Sequence, residues 1–323
     1  MVPAPAQDLT VTQRGSQVLL ELSYPKTTPG GVLLSGISAL EVWDVSRLAP
    51  KTGEPQPLDP RQYVAAATMI LKLAGPDLAL VTAGDRLLVR LPAPEAPAEA
   101  PVAHHYVVRT IGPRGDRSEV SNQAILVTQA PPPPPEELNA TPKPEGIEIT
   151  WRPPSRGGEL VKGFDVYRRD STAREYGKPL ATVGPTETRY FDTTATFGGS
   201  YIYAVTSVGR TAPLVESAIQ AEREVRYLDR FPPPPPGDLV ALAESGQVRL
   251  VWRSSPATDL AGYHVYRRDP DGAPRRLTSA PIAALEYTDS GLAPGRAYVY
   301  RVTAVDQEGN ESDPSAEVTA TVP

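Results

Sequence analysis

Apolar and polar side chains alternate one for one through residues 298–305, with Tyr298, Tyr300, Val302 and Ala304 on one face and Val299, Arg301, Thr303 and Val305 on the other. A period of two marks a strand half buried in a sheet, and a polar turn on Gly309 ends it. The pattern returns at Tyr201, Tyr203 and Val205 ahead of Gly209, and from His104 through Tyr106 and Val108 to Gly112. Three copies predict three domains, at residues 1–130, 131–231 and 232–323. Five consecutive prolines fall on each boundary, at 131–135 and 232–236. Such runs favour extended polyproline II at ~3.1 Å per residue, so each predicts a stiff spacer of roughly 15 Å that holds its neighbours apart.

The last copy carries the clearest strand signals. Residues 238–243 read as a strand, then Val248, Leu250 and Trp252 with the indole directed inward, then Tyr263 and Val265. Shorter strands follow at 275–279 and 286–289, a corner from Leu292 to Tyr298, and a closing strand at 317–322. Seven short strands with turn residues at this spacing predict a Greek-key sandwich. The middle copy matches through Ile147, Ile149, Trp151, Phe164, Val166 and Asp192, with its last strand within 217–226 and Phe-Gly-Gly-Ser at its corner. The first copy departs most. Val18, Leu20 and Leu22 replace the tryptophan-bearing strand, Leu40, Val42 and Trp43 follow, and His104 takes the corner position. An insertion at about 48–101 adds about twenty residues. Asp59 as N-cap, Pro60 at the first helical position and Gly75-Pro76 as a stop predict a helix there, with Tyr63, Ala66, Ala67, Ile70, Leu73 and Ala74 on one face. Residues 85–91 resume the sheet, and 92–101 form a proline-alanine loop.

Trp252, the Tyr263 and Val265 pair, and Leu292, Pro294 and Gly295 leading into Tyr298, Tyr300, Val302 and Ala304 together resemble the fibronectin type III domain in its bacterial version. The middle copy shares the resemblance nearly as fully, the first copy least. It implies an all-β chain of three tandem seven-stranded immunoglobulin-like sandwiches joined by polyproline linkers, the first with a helical insertion. It also implies a tyrosine corner, in which the Tyr298 hydroxyl bonds backbone upstream.

Composition narrows the chemistry. A formal net charge of −6 supplies no basic field, which argues against nucleic-acid or anionic-membrane partners. The absence of cysteine excludes a disulfide framework, a thiol nucleophile and cysteine-ligated zinc. No apolar stretch approaches the ~20 residues a membrane-spanning helix needs. The sequence contains neither a nucleophile elbow, nor a phosphate-binding glycine loop, nor a zinc-protease helix. His104 and His105 are adjacent on a strand and point to opposite faces, and His264 belongs to another copy, so the three do not converge on a metal. The acidic runs 269–272 and 306–310 fall at hairpin turns, where Asp, Asn and Gly are favoured on backbone grounds. No catalytic, metal or cofactor site is expected, and the chain reads as non-enzymatic.

Candidate contact residues remain. Trp43, Tyr167 and Tyr266 occupy matched positions opposite the core and are expected on the surface, where they would stack on sugars or proteins, or simply pair across the sheet. Tyr63 and Ile70 on the insertion helix would bind a partner or cover their own sheet edge. Arg114, Gly115 and Asp116 spell the integrin-binding tripeptide of some animal fibronectin type III domains, although Gly115 and Asp116 align with the turn residues Gly309 and Asn310. The resulting expectation is a non-catalytic, extracytoplasmic scaffold and spacer at a bacterial cell envelope, reaching roughly 100 Å and contacting other envelope or surface proteins. The proline-rich start resembles envelope lipoproteins just after their acylated cysteine, which implies a lipid anchor upstream of Val2. Two rivals stand beside it: a spacer or carbohydrate-binding region accessory to a polysaccharide-active enzyme, with polysaccharide as partner, and cell adhesion through Arg114, Gly115 and Asp116.

Overall fold

Strand alternation carries over into burial. In the last copy Tyr298, Tyr300, Val302 and Ala304 all turn into the core with Val248, Leu250, Trp252, Tyr263 and Val265. The structure is a computed structural model that describes residues 1–95, 101–270 and 272–323; residues 96–100 of the expected proline-alanine loop, and Asp271 of the 269–272 turn, lie outside the described residues. Two compact units emerge. One comprises Met1–Pro142, Gly146–Ala195 and Gly199–Arg226, and the other Lys143–Glu145, Thr196–Gly198 and Tyr227–Pro323.

The second unit holds the seven-stranded sandwich expected of the last copy. Gly237–Glu244, Gln247–Arg253 and Glu286–Ser290 form one sheet in that order, and Arg275–Arg276, Leu260–Arg268, Ala297–Asp306 and Val318–Thr321 form the other. Trp252 meets Tyr263 edge to face at 5.5 Å between ring centroids, a favoured arrangement for two aromatic rings. The Tyr298 hydroxyl accepts from the Ala293 amide at 3.2 Å, which forms the tyrosine corner.

The first unit departs from a row of separate beads. Its first repeat packs Ala39–Leu48, Val102–Ile111, Thr68–Ala74 and Ala124–Val127 against Thr10–Arg14, Gln17–Ser23 and Arg86–Pro92, with Leu20, Leu22, Leu40, Val42, Leu87 and Leu126 fully buried between them. The second repeat pairs Glu136–Lys143, Gly146–Arg152 and Arg189–Asp192 in one sheet, and Ala181–Val183, Gly163–Asp170, Ser200–Thr211, Leu214–Glu216 and Glu222–Arg226 in the other. Leu214–Glu216 is an eighth strand, and it runs parallel to Thr10–Arg14 with Gln13 opposite Val215 and Arg14 opposite Glu216. A single nine-stranded sheet therefore crosses from the first repeat into the second. The prolines at 131–135 do not hold these two apart. A Cβ at Gly209 would sit 3.1 Å from Pro132, and one at Gly157 would sit 3.2 Å from Pro133, so the run lies packed along the second repeat. In the other run the Pro234 carbonyl accepts from the Ser255 hydroxyl at 2.7 Å, and Pro233 and Pro236 are buried.

The insertion also corrects the helix prediction. Asp59 caps as expected, accepting from the Arg61 amide at 2.9 Å, but the helix spans only Pro60–Ala66. Ala67 is already extended, and Thr68–Ala74 pairs antiparallel with Ala39–Leu48. Met69, Leu71 and Leu73 share a period of two as well as Ile70, Leu73 and Ala74 share a helix face, and Leu71 and Leu73 pack on the sandwich core, so burial against the sheet decides the local structure. Gly75 and Pro76 then open a short helix, Pro76–Leu80, where a helix stop was expected.

A buried network recurs at one place in each repeat. Arg168 pairs with Asp192 at 2.8 Å while the Tyr203 hydroxyl donates to the same carboxylate at 2.8 Å, and the guanidinium lies 4.9 Å from the Tyr201 ring centroid. Arg267, Asp289, Tyr300 and Tyr298 repeat this at 2.8, 2.9 and 5.0 Å. In the first repeat the polarity is inverted: Asp44 stands opposite Tyr106, in the arginine's register, and accepts from His104 at 2.8 Å. Removing one partner of such a buried pair strands the other charge, so Asp192→Ala should cost ~3–5 kcal/mol in urea denaturation, and Asp289→Ala less, because Arg267 keeps Asp269 at 2.8 Å. Burial raises the pKa of the Asp192 carboxyl, but bonds from Thr194 and Tyr203 and the Arg168 charge outweigh it and leave the pKa below the ordinary value. Its stabilisation is thus complete above the unfolded value near ~4 and fades as pH falls through the folded one. Asp192→Asn should flatten that acid loss, and an unchanged acid profile would contradict the assignment.

Candidate interaction surfaces

Tyr167, expected on the surface, is only 1% exposed because the first repeat covers it. Tyr167 and Thr206 stand on the outer face of the second repeat's larger sheet, and both hydroxyls donate to Oε2 of Glu216, at 3.0 and 2.5 Å. Glu216 is fully buried, and its Oε1 accepts from Arg14 Nε at 2.6 Å. The Arg14 guanidinium lies 4.8 Å from the Tyr167 ring centroid, so one cation serves a carboxylate and an aromatic face together. Burial and the Glu216 charge push the Tyr167 phenol up, which keeps it a neutral donor. Gly15 follows at φ +56°, where a Cβ would come within 2.8 Å of Ala218. Only glycine combines this left-handed backbone with that close approach. Gln13 adds a bond from its amide nitrogen to the Gln129 carbonyl at 2.7 Å. Arg14, Thr206 and Glu216 were not among the sequence candidates. The signal that would have found them is a matched set, since Tyr167, Thr206 and Glu216 correspond to Tyr266, Thr303 and Glu311, each glutamate preceding a serine that caps the same strand.

Beside Arg14 lies a cleft of about 380 Å³, lined by Thr12, Leu19, Arg86, Arg90, Tyr176 and Lys178 among others. Its arginines are committed to neighbours, Arg86 to Glu21 and Asp8 and Arg90 to Glu175. Its two carboxylates, Glu21 and Glu175, are each paired with one of those arginines.

Tyr63 is likewise inward, 3% exposed, and closes the outer face of the first repeat with Val45, Val107, Trp43 and Leu58. Its hydroxyl donates to the strand carbonyls of His105 at 3.0 Å and Trp43 at 3.1 Å. The insertion helix therefore covers its own sheet. Ile70 is 44% exposed on the strand after it, away from Tyr63.

Tyr266 is half-buried, with its hydroxyl 2.6 Å from Glu311 and Arg301 5.5 Å from its ring centroid. His264 bonds Thr278 at 2.9 Å, and burial together with nearby Arg276 holds its imidazole below the ordinary range. Arg114 and Gly115 sit in an exposed turn in which the Gly115 amide donates to the Gly112 carbonyl at 2.9 Å with φ +86°. Gly309 repeats it at φ +87°, donating to Asp306, so this tripeptide occupies the ordinary turn of the fold. The Asp116 carboxylate accepts from the Met1 amine at 2.7 Å. Asp229, Asp259, Asp306 and Glu308 each bring one carboxylate oxygen within 4.8 Å of the others. Asp306, the buried member, spends both oxygens on Asn310, at 2.7 and 2.8 Å, as a turn residue does.

With these surfaces placed, residues 234–321 match the Fibronectin type III domain family. The last repeat is a fibronectin type III domain. Exoglucanase B of Cellulomonas fimi is 28% identical over 237 residues, 69% of this chain and 20% of that protein. Amylopullulanase of Thermoanaerobacter thermohydrosulfuricus is 39% identical over 88 residues, 27% of this chain and 6% of that protein. Poly(3-hydroxybutyrate) depolymerase of Ralstonia pickettii is 41% identical over 87 residues, 27% of this chain and 16% of that protein. The chain thus spans a fifth or less of the length of these relatives. Among the described residues no helix is long and apolar enough to cross a membrane.

The placements of Tyr63 and Ile70 separate covering from partner binding. Tyr63→Phe should cost about 1 kcal/mol in chemical denaturation by removing a buried hydroxyl bond. Ile70→Ala, at an exposed strand position, should stay within about 0.5 kcal/mol of the parent. The reverse order would show that the helix is not what closes this face.

Proposed function

We propose that this chain is a non-catalytic accessory region of a polysaccharide-active protein, setting the spacing and orientation of neighbouring domains. The observation that carries the proposal is the match of a fibronectin type III segment to proteins of differing activity. An exoglucanase, an amylopullulanase and a poly(3-hydroxybutyrate) depolymerase are each similar to part of the chain, so the similarity does not track one reaction. The named polysaccharide enzymes favour this function over the envelope scaffold with a lipid anchor.

The fused first unit supports a positioning role. A sheet that continues from one repeat into the next, locked by a buried ion pair, fixes an angle that a proline tether would leave open. Polymeric substrates are met outside the cytoplasm, and so is the chain in this proposal. Half-buried Tyr266 remains the aromatic position through which it would touch a glycan, since Tyr167 and Tyr63 are spent on packing and Trp43, expected on the surface, packs beneath the insertion helix.

The test is to isolate the protein that carries this chain from its source and assay sugar release from cellulose and starch, with and without residues 1–323. Loss of turnover on the insoluble polymer, with turnover of a soluble oligosaccharide kept, is the expected result. Equal loss on both substrates, or a carrier that releases no sugar, would contradict the proposal.

A further inference from the structure

The outer face of the larger sheet is closed differently in each repeat, and the residue that decides is the cross-strand neighbour of the matched aromatic. Trp43 stands opposite Val107, Tyr167 opposite Ala204, and Tyr266 opposite Arg301. In the first repeat, Val107 accepts Tyr63 from the insertion helix. In the third, Arg301 lies over Tyr266, a cation supplied by the repeat itself. In the second, Ala204 carries only a methyl group, and the cation over Tyr167 comes from Arg14 of the first repeat. Below these aromatics the chemistry of the second and third repeats is the same, with a tyrosine hydroxyl and a threonine hydroxyl both donating to one glutamate.

We infer that the second repeat carries a socket for an arginine-tipped edge strand, that Ala204 opens it, and that Arg301 closes the equivalent face of the third repeat. The partner it fits is a fibronectin type III repeat whose first strand ends in Arg-Gly, as Thr10–Arg14 does before Gly15. Selectivity has three sources. The guanidinium must meet a buried carboxylate, since an uncompensated Glu216 in that place is strongly disfavoured. The next residue must be glycine, because of its positive φ and the 2.8 Å approach to Ala218. The strand must also lie parallel to Leu214–Glu216, an edge made available because ten residues separate Ser207 from Ser217 where eight separate Ala304 from Ser312. In the third repeat Glu311 remains exposed, and both bonded hydroxyls fall on its Oε1. Arg301 and nearby Arg276 repel an incoming cation there.

The test is hydrogen exchange on the full chain. Ala204→Arg copies a side chain that the third repeat already accommodates, so the second sandwich should stay folded while its own arginine competes for Tyr167 and Glu216. Amides of residues 12–15 and 215 should then exchange at least tenfold faster, with protection of Tyr203 and Val205 kept. Arg14→Ala, a change at the end of an edge strand, should give the same pattern while leaving the sequence of the second sandwich unaltered. If either variant leaves residues 12–15 and 215 as protected as in the parent, the socket does not depend on the cation and the inference fails. If Ala204→Arg also unprotects Tyr203 and Val205, the outcome rests on Arg14→Ala alone, and unchanged protection there overturns it.

Discussion

A carboxylate withdrawn from water and the largely covered guanidinium that meets it decide how the first two repeats are joined. Arg14 reaches Glu216 across the seam, and everything near it follows from the need to satisfy that buried acid. Two hydroxyls take its second oxygen, an aromatic face takes the back of the guanidinium, and a glycine lets the chain turn away against Ala218. Breaking such a pair costs ~3–5 kcal/mol, far more than an exposed ion pair contributes. By contrast, Arg90 with Glu175 and Arg210 with Glu54 also cross this seam, but on its surface. They tune the seam and do not hold it.

The three repeats show one framework used with different fillings. The polar site under the corner is built from arginine and aspartate twice and from histidine and aspartate once, with the acid standing in the arginine's register in the first repeat. A serine hydroxyl accepts from the strand opposite in all three, at Ser118, Ser217 and Ser312. What differs is the outer face, and there a single position turns the same sheet into a closed surface or an open one. The junction of the first two repeats is fixed by its own side-chain chemistry, and the first proline run is part of the packing.

Much of this was legible before any coordinates. Alternation around Tyr298, Tyr300 and Val302 identified the core strand, and Trp252, Asp59 and Gly309 behave as their residue types predict. The Arg114 to Asp116 tripeptide was legible as a turn because its glycine aligned with Gly309. Two things were not. Residues 68–74 fit two periods at once, and only the sheet beside them could choose between a helix and a strand. The exposure of Tyr167 depended on Arg14, more than 150 positions earlier in the chain, and period-two reasoning knows which face a residue takes but not what arrives to cover it. Proline composition, likewise, describes a chain in water, and here the prolines have a surface to lie on.

The central claim is that the first two repeats are one body. The chain contains no cysteine, so cysteines introduced at exposed Leu48 in the first repeat and exposed Leu160 in the second would carry two spin labels and no others. Dipolar electron resonance between them should return a single narrow distance distribution that broadens when Glu216 is replaced by Gln. A broad distribution in the parent chain, unchanged by that replacement, would mean that the repeats move as separate beads.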